Sequence, residues 1–100
     1  MPKFTVEHET KLSKADAFKK VQEYLSHSEG LKKLDGDLQC SFDDSKFTGQ
    51  VKGSKFECQV AVQGENPTKV TLEISIGLLL SPFKGKIQET LKGKMNQILG

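Results

Sequence analysis

Val70-Thr71-Leu72-Glu73-Ile74-Ser75-Ile76-Gly77-Leu78 steps between aliphatic and polar or small side chains at every residue. Successive side chains of a strand point to opposite faces. Val70, Leu72, Ile74, Ile76 and Leu78 therefore share one face, and Thr71, Glu73 and Ser75 share the other. The same period extends toward the N-terminus. Phe56, Cys58, Val60 and Val62 oppose Glu57, Gln59, Ala61 and Gln63. Phe47, Gly49 and Val51 oppose Thr48 and Gln50, and Leu38, Cys40 and Phe42 oppose Gln39 and Ser41. One-sided alternation predicts an antiparallel sheet with one wet face, because strands buried on both faces read as continuous apolar runs. Asp43-Asp44-Ser45, Gly53-Ser54 and Gly64-Glu65-Asn66-Pro67 supply the turns between strands. Four strands joined this way make a meander.

Outward from the meander the period changes. Phe4, Val6 and His8 alternate with Thr5, Glu7 and Glu9 as a first strand. Ser13 then caps a helix over Lys14–His27, with Asp16 in its first turn and a stripe of Phe18, Val21 and Leu25. A further helical turn is expected over Leu31–Leu34. After the meander, Ser81-Pro82 reads as the cap and first residue of a final helix. Phe83, Ile87, Leu91, Met95 and Ile98 fall on an arc of about 120° at about 100° per residue. Lys84 and Lys94 fall inside that arc, with stems expected along apolar surface and ammonium groups in water. Gly85 and Gly93 weaken the helix and suggest close approach of another backbone. The whole is one domain, residues 1–100, of the α+β class. Its order is β-α-β-β-β-β-α, with the first strand beside the last and two helices on one face of a five-stranded antiparallel sheet.

Composition narrows the function. The chain is 35% hydrophobic and 28% charged, which suits a globular domain. No apolar run approaches the roughly 18 residues that cross a bilayer, and the start has no signal-peptide pattern, so a cytoplasmic protein is expected. All 15 basic residues are lysines and the net charge is +2. The absence of arginine argues against forked grips on phosphate. All six Phe fall at expected inward positions, whereas a sheet that stacks bases carries aromatics on its open face. No nucleic-acid partner is expected. Charge is uneven: residues 11–33 carry six Lys against three acids, and residues 81–100 four Lys against Glu89 alone. Residues 35–76 carry four Lys against seven acids. The helices are basic and the sheet is acidic.

No catalytic, cofactor or metal site emerges. Cys40 and Cys58 lie on inward faces with one strand between them, about 10 Å apart. A disulfide needs Cα atoms within about 7 Å, so two free, buried thiols are expected. His8 is the one inward histidine, near the end of an edge strand, and no neighbouring thiolate is foreseen for it. No Cys, His, Asp and Glu cluster has metal-ligand spacing, and the glycines of the hairpins form no phosphate cradle. The least ordinary stretch is Gly77-Leu78-Leu79-Leu80-Ser81-Pro82. Parity sends Leu78 and Leu80 inward and Leu79 the other way. Leu79 is either covered by a neighbouring loop or part of an exposed apolar patch, the usual mark of a contact site. The candidate contact surface is Gly77, Leu79, Ser81, Pro82, Lys84 and Lys86.

Residues 72–100 resemble the end of the bacterial polyhydroxyalkanoic acid system family. The likeness rests on Gly77-Leu78-Leu79-Leu80-Ser81-Pro82-Phe83-Lys84-Gly85-Lys86-Ile87, entering a helix that closes on Leu99-Gly100. Phe83 stands where the family usually has Leu. The chain departs from common members in having only lysine as its base and no Trp. The resemblance implies association with polyhydroxyalkanoate granules, with no enzymatic activity and no catalytic residues to carry over. The layout also resembles a shortened helix-grip domain, whose full-length versions enclose an apolar cavity. Three expectations follow. The first is a non-enzymatic accessory protein that touches a polyhydroxyalkanoate granule or a granule protein through Leu79 and the last helix's lysines. The second is a module holding a small apolar ligand between sheet and C-terminal helix. The third is a homodimer built on an edge strand or on the Leu79 patch.

Overall fold

The computed structural model describes residues 3–65 and 67–100, with backbone alone at Leu34. Asn66 of the expected turn, and Met1 and Pro2, lie outside the described residues. Strand β1 (Lys3–Thr10) is followed by α1 (Lys14–His27) and the short α2 (Glu29–Leu34). Strands β2 (Gln39–Asp43), β3 (Thr48–Lys52), β4 (Phe56–Gln63) and β5 (Thr68–Ile76) form the meander. A 3-10 turn (Ser81–Phe83) leads into α3 (Lys84–Leu99). The sheet order is β1-β5-β4-β3-β2, antiparallel throughout. The first strand lies beside the last, as expected.

Register aligns the apolar parity into rows. One row runs Phe4, Ile74, Cys58, Val51, Cys40, and the next runs Val6, Leu72, Val60, Gly49, Phe42. A third carries His8, Val70 and Val62. Leu72, Ile74 and Ile76 are fully buried. Helix α1 packs over β2 to β5 with Ala17, Phe18, Val21 and Leu25 buried, while α3 lies along β1 and against α1. The open face carries Thr5, Glu73, Gln59, Gln50 and Ser41 in the matching outer row.

Glycine has a specific role at Gly49. Phe42, its cross-strand partner, lays its ring over it, and a Cβ at Gly49 would stand 2.3 Å from the ring. That ring meets Phe18 edge-on at 6.1 Å, and Phe18 meets Phe47 edge-on at 5.7 Å. Such pairs contribute about 0.5–1.5 kcal/mol beyond area burial. Phe47 takes a left-handed φ of 53° at the end of the β2–β3 loop. Asp43 holds that loop by accepting from the N–H groups of Ser45 and Lys46 and from the Ser45 hydroxyl.

Several expectations need correction. Cys40 is exposed, because β2 is the edge strand and cover ends beside it; its thiol still points to Leu25 O at 3.8 Å. Cys58 is buried, and both thiols are free. Ser81 does not cap the last helix: the chain enters through the 3-10 turn with no side-chain cap, and Pro82 occupies that turn's start. Gly85 and Gly93 face open space and mark no close approach. On α3 the buried side chains are Ile87, Leu91, Met95 and Leu99, with Ile98 only half-buried and Phe83 exposed.

Candidate contact surface

Strand parity ends where the ladder ends, at the Phe56–Ile76 pair. Beyond it Gly77 N–H donates to Lys55 O at 2.8 Å, Leu80 N–H to Gly77 O at 3.1 Å and Ser81 N–H to Leu78 O at 3.3 Å. These bonds wind residues 77–81 into a turn. The turn throws Leu78 outward, contrary to its parity. Leu78 is 83% exposed, Leu79 74% and Phe83 52%, while Leu80 folds under into the core. They are the exposed large hydrophobic residues among those described.

The corner is anchored from behind by a residue the alternation does not flag. Asp35 ends α2, with its own N–H on Leu31 O. Its side chain is buried and accepts from Lys55 N–H at 2.6 Å, Asp37 N–H at 3.0 Å, Phe56 N–H at 3.2 Å and the Ser54 hydroxyl at 3.3 Å. Burial alone would raise its pKa; these hydrogen bonds outweigh burial and hold it below the usual value. Gly53 is the one residue type that fits opposite, since a Cβ there would lie 2.3 Å from Asp35 Oδ2. Lys55 in turn accepts from Gly77. A continuous path thus joins α2, the β3–β4 turn and the exit of β5. Its sequence signal is slight: an Asp following a short helical turn, and a glycine in a hairpin.

Beside the corner an apolar groove of about 390 Å³ opens between α1–α2 and α3. Leu31, Leu80, Ile87 and Leu91 form its floor, and Tyr24 and Phe83 stand in its walls. Lys33 from α2 and Lys86 from α3 reach its rim. Burial pushes the Tyr24 phenol up, opposed by the Ser28 side chain. The side chains of α3 that turn inward, Ile87, Leu91, Met95 and Leu99, belong to the closed core. This apolar groove therefore lies between helices, and not between sheet and C-terminal helix.

Of the expected surface, Gly77 is half-buried and fixed to Lys55, Ser81 is half-buried, and Leu79, Pro82, Lys84 and Lys86 are exposed. Lys86 is the member of that set that also lines the groove. Leu78 and Phe83, which parity sends inside, belong to the surface instead. Lys84 and Lys86 stand in the first turn of α3, which has no acidic residue there. Lysine at a helix N-terminus opposes the dipole, so this end of α3 is positive and uncompensated.

Elsewhere the chemistry is sparse. Burial, and then Cys40, push the Cys58 thiol up to about 12, so it stays protonated. His8 and Cys58 are two rows and two strands apart, about 16 Å by strand rise and spacing. That excludes proton transfer between them. The half-buried His8 leaves Nε2 without a hydrogen-bond partner. Among the described residues no group of three potential metal ligands comes together, and no helix is long and apolar enough to cross a membrane.

The fold and the site define a class: a small α+β domain with a wet sheet face and a lysine-flanked, exposed apolar corner. The chain belongs to the family described as "Putative polyhydroxyalkanoic acid system protein", whose model matches residues 4–99. That description names a polyhydroxyalkanoic acid system and no reaction. Among solved structures, the chain is similar to TTHA0849 from Thermus thermophilus, with a TM-score of 0.57 and 12% identity. The match covers 98% of this chain and 92% of the other. At that identity it speaks for the fold alone. No curated protein matches the chain.

Proposed function

We propose that this protein is a non-enzymatic, cytoplasmic accessory of polyhydroxyalkanoate storage. It meets the granule surface, or a protein on it, through Leu78, Leu79 and Phe83, with Lys84 and Lys86 alongside. The observation that carries the reading is the exposure of those three side chains on one short segment in a member of a polyhydroxyalkanoic acid system family. Exposed apolar surface costs solubility and persists where it meets a partner. A polyester granule offers ester carbonyls and hydrocarbon, and its coat offers protein, so apolar contact supplies affinity and lysines supply orientation.

The test is co-sedimentation with washed polyhydroxyalkanoate particles and with lysate of granule-making cells. Wild type is expected in the particle fraction, with Leu79→Lys and Leu78→Lys each reducing binding at least tenfold. Wild type left in the supernatant in both settings would sink the reading. Sedimentation of the protein alone reports whether the same corner, or the open edge of β2, pairs two copies.

A further inference from the structure

We propose that the groove between α1–α2 and α3 is a binding site for an acyl-chain amphiphile with a carboxylate head. The apolar part would lie on Leu31, Leu80, Ile87 and Leu91, between Tyr24 and Phe83. The head would sit at the rim between Lys33 and Lys86. This goes beyond the granule reading and needs only the groove, so it can hold if no particle is bound.

Three features point to that ligand class. The groove's volume, about 390 Å³, falls within the roughly 300–1,000 Å³ of small-molecule sites, which are lined mainly by apolar side chains with a few placed polar groups. Its charged groups are both cationic, supplied from opposite walls by α2 and α3. The first turn of α3, at that same end, carries no acid to offset the lysines. An apolar bed with a positive rim complements a hydrocarbon tail ending in an anion. A neutral oil would leave the lysines unused, and a free inorganic anion would leave the bed uncovered.

The chain contains one tyrosine and no tryptophan, so intrinsic emission reports Tyr24 in the groove wall alone. The experiment titrates the whole protein with hexanoate, octanoate and decanoate, below the concentrations at which they form micelles, and with decanol. A saturable change in Tyr24 emission is expected, tightening about two- to fourfold per added methylene. Decanol should bind several-fold more weakly than decanoate. Lys33→Gln and Lys86→Gln, both at exposed positions, should each weaken decanoate about threefold and leave decanol unchanged. Thr90→Phe, on the exposed lip, should fill the groove and abolish both. No saturable response to decanoate, equal affinity for decanol, or lysine variants that bind decanoate like wild type would each overturn the site. No particle is present in any arm, so failure here leaves the granule reading untouched.

Discussion

Ile74 and Leu79 are aliphatic residues five positions apart, in the same run of chain, and they have opposite fates. Ile74 sits between Phe4 and Cys58 in a row that crosses the sheet, under a helix, with no exposed surface. Leu79 sits past the last ladder pair, on a turn, in water. The difference is set by hydrogen bonding before hydrophobicity. Where β5 is paired on both sides, the pleat dictates which side chains go in. Where Gly77 bonds to Lys55 and the chain begins to wind, no pleat remains, and three consecutive leucines distribute as the turn dictates. The sheet interior explains why the protein folds. Leu78 and Leu79 bury little surface, and the proposed contact rests on them.

The sharpest way to break this contrast is truncation on each side of it. Leu72→Ala or Ile74→Ala should cost about 3–5 kcal/mol, the range for emptying a well-packed core site. Leu79→Ala and Leu78→Ala should change stability by less than about 0.5 kcal/mol. Urea melts of the four variants measure both. If Leu79→Ala costs as much as Leu72→Ala, the corner is packed and its proposed role as a contact surface collapses.

Asp35 should come next in size, because it ties the two regions together. Asp35→Ala strands the N–H donors of Lys55 and Phe56 and is expected to cost about 2–4 kcal/mol. The pH dependence has a definite sign. The folded-state pKa of Asp35 lies below its ordinary value, so its contribution is complete above the unfolded value of about 3.9 and is lost as pH falls through the lower folded value. Asp43, lowered by the Ser45 hydroxyl and neighbouring N–H groups, acts in the same direction in a more exposed setting. Wild type should therefore lose stability below about pH 4, and Asp35→Asn should lose visibly less across that window. Parallel acid melts in which the two curves keep a constant gap would assign the buried carboxylate no such role.

The same contrast marks how much was legible beforehand. Every strand, α1 and the wet face follow from periods of two and about 3.6, because periodic burial leaves a periodic trace. The order of β2 to β5 follows from their short turns, and the place of β1 beside β5 from no period. The corner was legible in location but not in detail. Leu79 and the lysines stand out as an interrupted pattern, yet extending strand parity past Ile76 wrongly buries Leu78, and extending helical parity back past Lys84 wrongly buries Phe83. Both errors arise at element ends, where one hydrogen bond decides orientation and no repeat exists to reveal it. The groove was not legible at all, since Tyr24, Lys33 and Lys86 come from three helices and meet through tertiary packing. Parity likewise sets Cys40 on the covered face, yet neither parity nor strand order shows that helix cover stops short of the edge strand β2.

Glycine tests the helix that carries the corner. Gly85 and Gly93 face open space at helical positions of α3. A methyl group meets nothing there, and alanine removes backbone freedom from the unfolded chain. Gly85→Ala and Gly93→Ala should each stabilise the fold by about 0.5–1 kcal/mol. Destabilisation by either variant would mean that a neighbour approaches α3 in solution, and would restore the close-contact reading that the open space removes.

The smallest expected effect is the most discriminating, because stability and contact should move in opposite directions. Lys84 opens α3 at the positive end of its dipole, with no acidic residue in that turn. Lys84→Glu replaces an unfavourable charge by a favourable one and should stabilise the protein by about 0.3–1 kcal/mol at low salt, an increment that shrinks as salt rises. If the lysines flanking Leu79 serve an anionic or polar partner, the same substitution should weaken capture by granule material while the melting temperature goes up. Thermal melts and co-sedimentation on one preparation give both numbers. A variant that is more stable and binds as well as wild type would show that Lys84 only solvates the helix end, and would confine the contact to the three exposed apolar side chains.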